Sequence, residues 1–232
     1  MMLPVVQASR LDPLKRKATG QLLVHEVYRS IQGESTFAGL PCIFVRLTAC
    51  SARCVWCDTP HAFKEGDLFS IDDVLERVLA FGCPLVELTG GEPLLQEEAL
   101  GLMARLANSG LTVLLETSGT VSIEGVDPRA HIIMDLKCPD SGECENNLWA
   151  NLDLLKPSDQ IKFVIASKRD FDWTEETIRC RDLGRRFTVL LSAVFGSVTP
   201  RELANWLLQS GLQVRFQLQL HKYIWDPRAR GV

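Results

Sequence analysis

At 232 residues the chain is long enough for one α/β domain whose core needs no disulfide staples. A hydrophobic fraction of 46% against 23% charged residues excludes a disordered chain, and a net charge of −4 argues against a protein that coats nucleic acid. No apolar run approaches the ~20 residues of a membrane span. The first residues carry no positive charge ahead of Leu3, Val5 and Val6, so no secretory signal is expected either. Eight cysteines in such a chain are expected as thiols or metal ligands in a reducing cytoplasm.

Residues 1–20 read as a loose segment ahead of a single domain over 21–232. Short apolar runs predict strands at 22–28, 42–47, 85–89, 112–117, 132–136, 160–165, 187–192 and 214–218. Those from 42 to 192 are dense enough in Val, Ile and Leu to be parallel strands buried on both faces. Ser70 with Asp73 predicts a capping box, followed by Val74, Leu75, Val78 and Leu79 on one face and closed by Gly82. Residues 97–108 predict a second helix with Leu100, Met103, Ala104 and Ala107 inward, and 170–183 a third. Thr199 precedes a Pro-Arg-Glu helix start whose buried face is Leu203, Trp206 and Leu207. Strand and helix in alternation mean βαβ units and a largely parallel sheet.

In such sheets ligands bind on the loops after the strands. Four unusual peptides fall on that rim: Cys50 to Cys57, Thr89-Gly-Gly-Glu-Pro93, Glu116-Thr-Ser-Gly-Thr120 and Asp135-Leu-Lys-Cys-Pro139. Cys50, Cys54 and Cys57 are three thiol ligands at gaps of three and two residues. A structural zinc would need a fourth ligand, for which His61 is nearest. Cys42, Cys83, Cys138, Cys144 and Cys180 stand singly and read as small buried hydrophobes. Three ligands suit instead a four-iron cluster with one iron open to an external ligand.

The CxxxCxxC loop after the first core strand, followed by Gly-Gly-Glu-Pro after the next, resembles the radical S-adenosylmethionine (SAM) superfamily. The resemblance implies a partial, modified (βα)6-type barrel with mostly parallel strands. It also implies a [4Fe–4S] cluster whose open iron is chelated by SAM, the source of a 5′-deoxyadenosyl radical. Tyr28-Arg-Ser-Ile-Gln-Gly-Glu-Ser35, Phe44-Val-Arg-Leu47, Trp56-Cys-Asp-Thr59, Ile161-Lys-Phe-Val164 and Gln219-Leu-His-Lys222 are similar to the 7-carboxy-7-deazaguanine synthase family, over about residues 22–225.

That family contracts 6-carboxy-5,6,7,8-tetrahydropterin to 7-carboxy-7-deazaguanine with loss of ammonia and regeneration of SAM. It uses Mg²⁺, takes electrons from a flavodoxin- or ferredoxin-type donor and is typically a homodimer. The resemblance assigns Trp56, Cys57, Asp58, Gly91, Asp135, Leu136, Lys137, Ser192, Ala193, Val194 and Phe195 to SAM. Ile31, Gln32, Gly33, Arg46, Thr89 and His221 fall to substrate, and Thr59 to Mg²⁺. Read from the residues alone, Arg46 has a salt bridge as its alternative, Thr59 and Thr89 have turn capping, and His221 has a structural role. Glu116 is a ribose contact or a cap, and Lys137 and Lys162 balance buried charge or lie at the surface. The family's C-terminal segment closes over the substrate, and here either the neighbourhood of Pro227 or Val232 is expected to reach it. A glycyl-radical-activating enzyme shares the two main motifs, and a zinc-stabilised binding module is the alternative without catalysis.

Overall fold

Large aliphatic side chains recur at every second residue of the central strands, and this period sets the architecture. The computed structural model describes residues 8–232. Its strands are β1 (Gln21–Ile31), β2 (Pro41–Leu47), β3 (Asp67–Ser70), β4 (Leu85–Gly90), β5 (Thr112–Thr117), β6 (His131–Asp135), β7 (Gln160–Ile165), β8 (Thr188–Ala193) and β9 (Arg215–Phe216). They form one sheet in the order β3-β1-β2-β4-β5-β6-β7-β8-β9. β1 is antiparallel to both of its neighbours, and every pair from β2 to β9 is parallel. β3 and β9 end the sheet without pairing to each other, so the barrel is partial.

The helices are α1 (Ile71–Ala80), α2 (Glu98–Asn108), α3 (Lys168–Cys180), α4 (Leu183–Arg186), α5 (Pro200–Ser210) and α6 (His221–Ile224). The capping box expected at Ser70 is present, with its hydroxyl accepting from Asp73 N at 3.1 Å. Thr199 and Glu202 make a second one at α5. Other expectations need correction. Val74 and Val78 are fully buried but Leu79 is 45% exposed. α2 buries Ala99, Leu102, Met103 and Leu106, so its inward face is turned from the one the sequence suggests. The helix expected over 170–183 is two helices, α3 and α4, separated at Asp182, whose φ is 52°.

Of residues 1–20, read as loose, the described part from Ala8 to Arg16 is a 3-10 helix. Arg10 Nη1 donates to the Ser51 carbonyl at 2.6 Å, and Lys17 pairs with Glu98 at 2.6 Å. The remaining residues of that segment, 1–7, lie outside the described residues. Charged contacts of this kind leave no apolar period in the sequence, which is why the segment reads as loose.

Alternate residues of the strands go to two different places. Ile43, Val45 and Leu47 of β2, Val86 and Leu88 of β4 and Ile161, Phe163 and Ile165 of β7 pack with Val74, Val78, Leu102, Leu106 and Phe171 in one apolar core. The intervening Phe44, Arg46, Glu87, Thr89, Lys162 and Val164 line an interior cavity of 520 Å³. The expectation of two apolar faces therefore holds for one face only. The other is buried and polar, with Glu87 2% and Lys162 4% exposed. Among the described residues no helix is long and apolar enough to cross a membrane.

Candidate active site

The cysteine loop begins with a strained reversal. Ala49 sits at φ 80°, a left-handed conformation that costs a residue with a Cβ of order 1 kcal/mol. Its N–H donates to Ala62 O at 2.9 Å and its carbonyl accepts from Glu92 N at 2.8 Å. Beyond it, Arg53 N donates to the buried Glu143 carboxylate at 2.6 Å, and the Arg53 guanidinium donates to the carbonyls of Cys50 and Ala52. Backbone and arginine thus shape the loop, and Cys50, Cys54 and Cys57 line the same cavity.

Their sulfurs do not gather within 4.8 Å of one another, as ligands of one ion do. A tetrahedral zinc about 2.3 Å from each sulfur would draw them closer. Three spread thiols on one loop fit the corners of a polynuclear cluster better than a mononuclear site. Burial, and then the charge of Glu92, pushes the Cys50 thiol up to about 12, and burial raises Cys54 as well. Such thiols become thiolates only by giving their protons up to a metal.

The glycine pair at the end of β4 packs directly on this loop. Gly90 has φ 148°, and a Cβ there would collide with the Leu47 carbonyl. A Cβ on Gly91 would collide with the Ala49 carbonyl and lie 2.7 Å from Cys50 Cβ. Only glycine lets the two backbones approach this far. Glu92, fully buried, accepts from Leu94 N at 3.0 Å, Thr117 Oγ1 at 2.9 Å and Ser118 N at 2.7 Å. It ties the loop after β4 to the loop after β5, the 116–120 peptide of the same rim.

The cavity floor is a buried ion network. Lys162 Nζ bonds Glu34 at 2.6 Å and also Glu116, with Asp135 at 3.9 Å. Lys137 pairs with Asp135 at 2.8 Å. Burial alone would lower both ammonium groups, but Glu116 and Glu34 hold Lys162 well above its ordinary value, and Asp135 and Cys54 do the same for Lys137. Neither lysine is at the surface. Buried ions cost several kcal/mol each in desolvation, so a set of this size marks a site that handles charge.

Arg46 makes the salt bridge that was one of its two readings and also borders the cavity. Its Nε donates to Glu26 Oε1 at 2.8 Å and its Nη2 to the Tyr28 hydroxyl at 2.9 Å, while the side chain lines the cavity. Two of five N–H donors are committed. Thr89 is buried on the cavity wall, and Thr59 stands there with Oγ1 3.9 Å from Cys57 Sγ. Ile31, Gln32, Gly33, Trp56, Asp58, Gly91, Val194 and Phe195 also line it. Gln32 is spent on the protein, its Oε1 accepting from Glu34 N and its Nε2 facing Glu87. Leu136 and Ser192 point into the core at 0% exposure, and Ala193 faces a separate 190 Å³ hollow. Cys42, Cys83 and Cys138 are buried as expected of small hydrophobes, whereas Cys144 is half-buried and Cys180 exposed.

The C-terminal segment closes the cavity from above. Leu220 N donates to Gly33 O at 3.0 Å, Gln219 Nε2 to Glu34 at 2.6 Å, and Lys222 pairs with Asp58 at 2.9 Å. His221 lines the cavity, and burial holds its ring below the ordinary imidazole value. Pro227 and Val232 both line the wall, along with Asp226, Ala229, Arg230 and Gly231.

Glu26, Tyr28, Glu34, Glu87 and Lys222 line the cavity and were not anticipated. The available signal was a charge at alternate positions of an otherwise apolar strand, as at Glu87 between Val86 and Leu88. Burial, with Glu116 beside it, raises Glu87 well above the ordinary carboxyl value. The folded chain then keeps a proton that the unfolded chain releases near a pH of roughly 4.3. Its stability contribution is full below that pH and is lost as pH rises toward the folded value. Glu87→Gln is expected to remove a slope of about 1.4 kcal/mol per pH unit, read as a flatter dependence of Tm on pH. An unchanged slope would show that Glu87 is ionised.

A family model for the radical SAM superfamily matches residues 45–208, from within β2 into α5. The crystal structure of QueE from Escherichia coli is similar in fold, with a TM-score of 0.71 at 23% identity over 89% of this chain and 97% of that one. That span contains the cysteine loop and the glycine pair, and the chain is a radical SAM enzyme, a class that works with a [4Fe–4S] cluster and SAM. The 7-carboxy-7-deazaguanine synthase of Chlorobaculum tepidum is 48% identical over 91% of this chain and 97% of its own. That of Koribacter versatilis is 46% identical over 90% and 99%. The chain belongs to the 7-carboxy-7-deazaguanine synthase family.

Proposed function

We propose that this enzyme is a lyase that contracts 6-carboxy-5,6,7,8-tetrahydropterin to 7-carboxy-7-deazaguanine, releasing ammonia and using SAM catalytically. The observation that carries the reading is one cavity holding the three cysteines at one side and Arg46 with a buried ion network at the other. Product and ammonia together contain every atom of the substrate, so the reaction needs no net oxidant and the radical can return to its source. When bound and reduced, the cluster would supply the electron that splits the C5′–S bond of SAM into methionine and a 5′-deoxyadenosyl radical.

The chain's own residues hold, orient and exclude. Cys50, Cys54 and Cys57 hold the cluster. Gly91, by its close approach to the cysteine loop, offers backbone to the amino group of SAM, while the Asp135–Lys137 pair and the backbone of Trp56, Cys57, Asp58, Leu136 and residues 192–195 frame the rest of it. Since Leu136 and Ser192 turn their side chains into the core, their contribution is through the main chain. The unspent N–H donors of Arg46 suit the substrate carboxylate as a planar fork. Ile31, Gln32, Gly33, Thr89 and His221 line the opposite face. The Thr59 hydroxyl offers one oxygen to Mg²⁺, whose other ligands are substrate oxygens and waters, in keeping with the hydration that ion retains.

A cavity roofed by α6 and residues 226–232 supports a small charged substrate over the glycyl-radical loop of a partner protein. Eight free cysteines support a reducing cytoplasm, with a flavodoxin- or ferredoxin-type donor and a homodimer completing the reading. Arg46→Ala is expected to raise KM for the pterin by about 10- to 100-fold, the worth of a charge-assisted contact, while uncoupled SAM cleavage persists. Loss of cluster iron in that variant would assign Arg46 a structural role instead.

A further inference from the structure

On the rim of the cavity three side chains converge for no reason that the reaction above supplies. One ligand atom each from His25, Glu26 and His61 lies within 4.8 Å of the others, and all three residues are half-buried. His25 and Glu26 are neighbours on β1, where successive side chains normally point to opposite faces. A bulge alters this. Val24 pairs with Leu47 and Glu26 with Arg46, consecutive residues of β2, so that His25 is the extra residue of β1. Bulges re-aim side chains in this way and are frequent beside active sites. His61 arrives from the other side, on the 3-10 helix Pro60–Phe63 that follows the cysteine loop.

We propose that His25, Glu26 and His61 form a second metal site, for a divalent ion of the zinc class, on the rim beside Arg46. His25 Nδ1 lies 3.1 Å from the Glu65 carbonyl, which only accepts, so Nδ1 carries the proton and Nε2 is left as the ligand. A backbone carbonyl on the far nitrogen is the usual orienting partner of a metal-bound histidine. The rings of His25 and His61 stand 4.9 Å apart, tilted at 46° to each other. Glu26 gives Oε1 to Arg46, and a carboxylate has lone pairs for a second partner.

Two imidazoles and one carboxylate suit zinc and its borderline neighbours, whereas Mg²⁺ prefers an all-oxygen shell, so this site is distinct from the one ascribed to Thr59. Three protein ligands would leave one position of a tetrahedral ion for water or another ligand. Through Glu26 the ion would also fix the carboxylate that holds Arg46. The inference goes beyond the proposed reaction and does not depend on it.

The test uses cluster-loaded protein carrying Cys144→Ser and Cys180→Ser, which removes the accessible thiols outside the cluster. After chelation the protein is dialysed anaerobically against ZnCl2, and zinc and iron are counted per chain. About one zinc is expected, lost in both His25→Ala and His61→Ala while iron stays unchanged. Zinc-edge absorption on the parent protein is expected to show nitrogen and oxygen scatterers with the outer-shell pattern of imidazole. Absence of bound zinc, its retention by both histidine variants, or sulfur in its first shell would overturn the site. Iron content and pterin turnover, measured on the same samples, report separately on the proposed function.

Discussion

Gly91→Ala is expected to leave the chain unable to hold its iron and to lower its stability by about 3 kcal/mol or more. The added methyl meets a backbone carbonyl at Ala49 and the Cβ of Cys50, neither of which can swing aside as a flexible side chain does. The strained Ala49 turn must shift, and with it the first ligand of the cluster. Iron per chain and thermal unfolding both read the effect, the latter as a fall in Tm of about 6 to 12 °C. Gly101→Ala serves as the contrast. It lies on α2, where the added Cβ would meet Ile71 Cδ1 at 3.4 Å, an ordinary contact, and removing a helical glycine there should stabilise by about 1 kcal/mol. Gly91→Ala with full iron and unchanged Tm would show that the close packing of the two loops is unnecessary.

Lys162→Met is the second large effect. The substitution keeps an unbranched side chain, one heavy atom shorter, but leaves Glu34, Glu116 and Asp135 around a buried apolar end. Breaking a buried ion set by removing one partner costs about 3 to 5 kcal/mol. The sign of the pH response follows. With the ammonium gone, the burial of Glu34 is no longer offset by Lys162, so its carboxyl rises and the folded variant binds more protons than the unfolded one. Its stability is then greatest in acid and falls as pH rises through about 5 to 8. Denaturant unfolding at both ends of that range measures it. A loss under about 1 kcal/mol at neutral pH would mean that the network is open to solvent.

The parts of this molecule that are legible in sequence are those with local causes. The Ser70 box and the helix start after Thr199 are satisfied within one turn, and the aliphatic runs of β2, β4, β5, β7 and β8 carry their own period. The cysteines and the glycine pair are legible because their spacing is itself the chemistry. What escaped depends on partners remote in sequence. β3 is four residues long and exists through pairing with β1, where Asp67 stands opposite Val24, a residue remote in sequence. The buried face of α2 is ambiguous because apolar residues run most of the way round Ala99 to Ala107. The bulge at His25 is a property of the β1–β2 register and leaves no mark in either strand.

The polar inner face is the more instructive case. Glu87, Glu116 and Lys162 sit inside apolar strands where a charge is costly unless it has a partner and a purpose. Their alternation with Val86, Leu88, Leu115, Ile161 and Phe163 marks the cavity wall as plainly as the cysteines mark the rim. Arg46 was legible by the same reasoning, and Glu26, its cross-strand partner, was hidden by the bulge.

The most direct test of the central claim is a single-vessel turnover measurement. Anaerobically reconstituted protein is reduced and mixed with SAM, Mg²⁺ and 6-carboxytetrahydropterin, and product, ammonia and SAM are quantified together. The account predicts 7-carboxy-7-deazaguanine and ammonia in equal amounts, many turnovers per chain, and SAM essentially unspent. Consumption of SAM to 5′-deoxyadenosine with no deazaguanine formed, by protein carrying a full cluster, would contradict it.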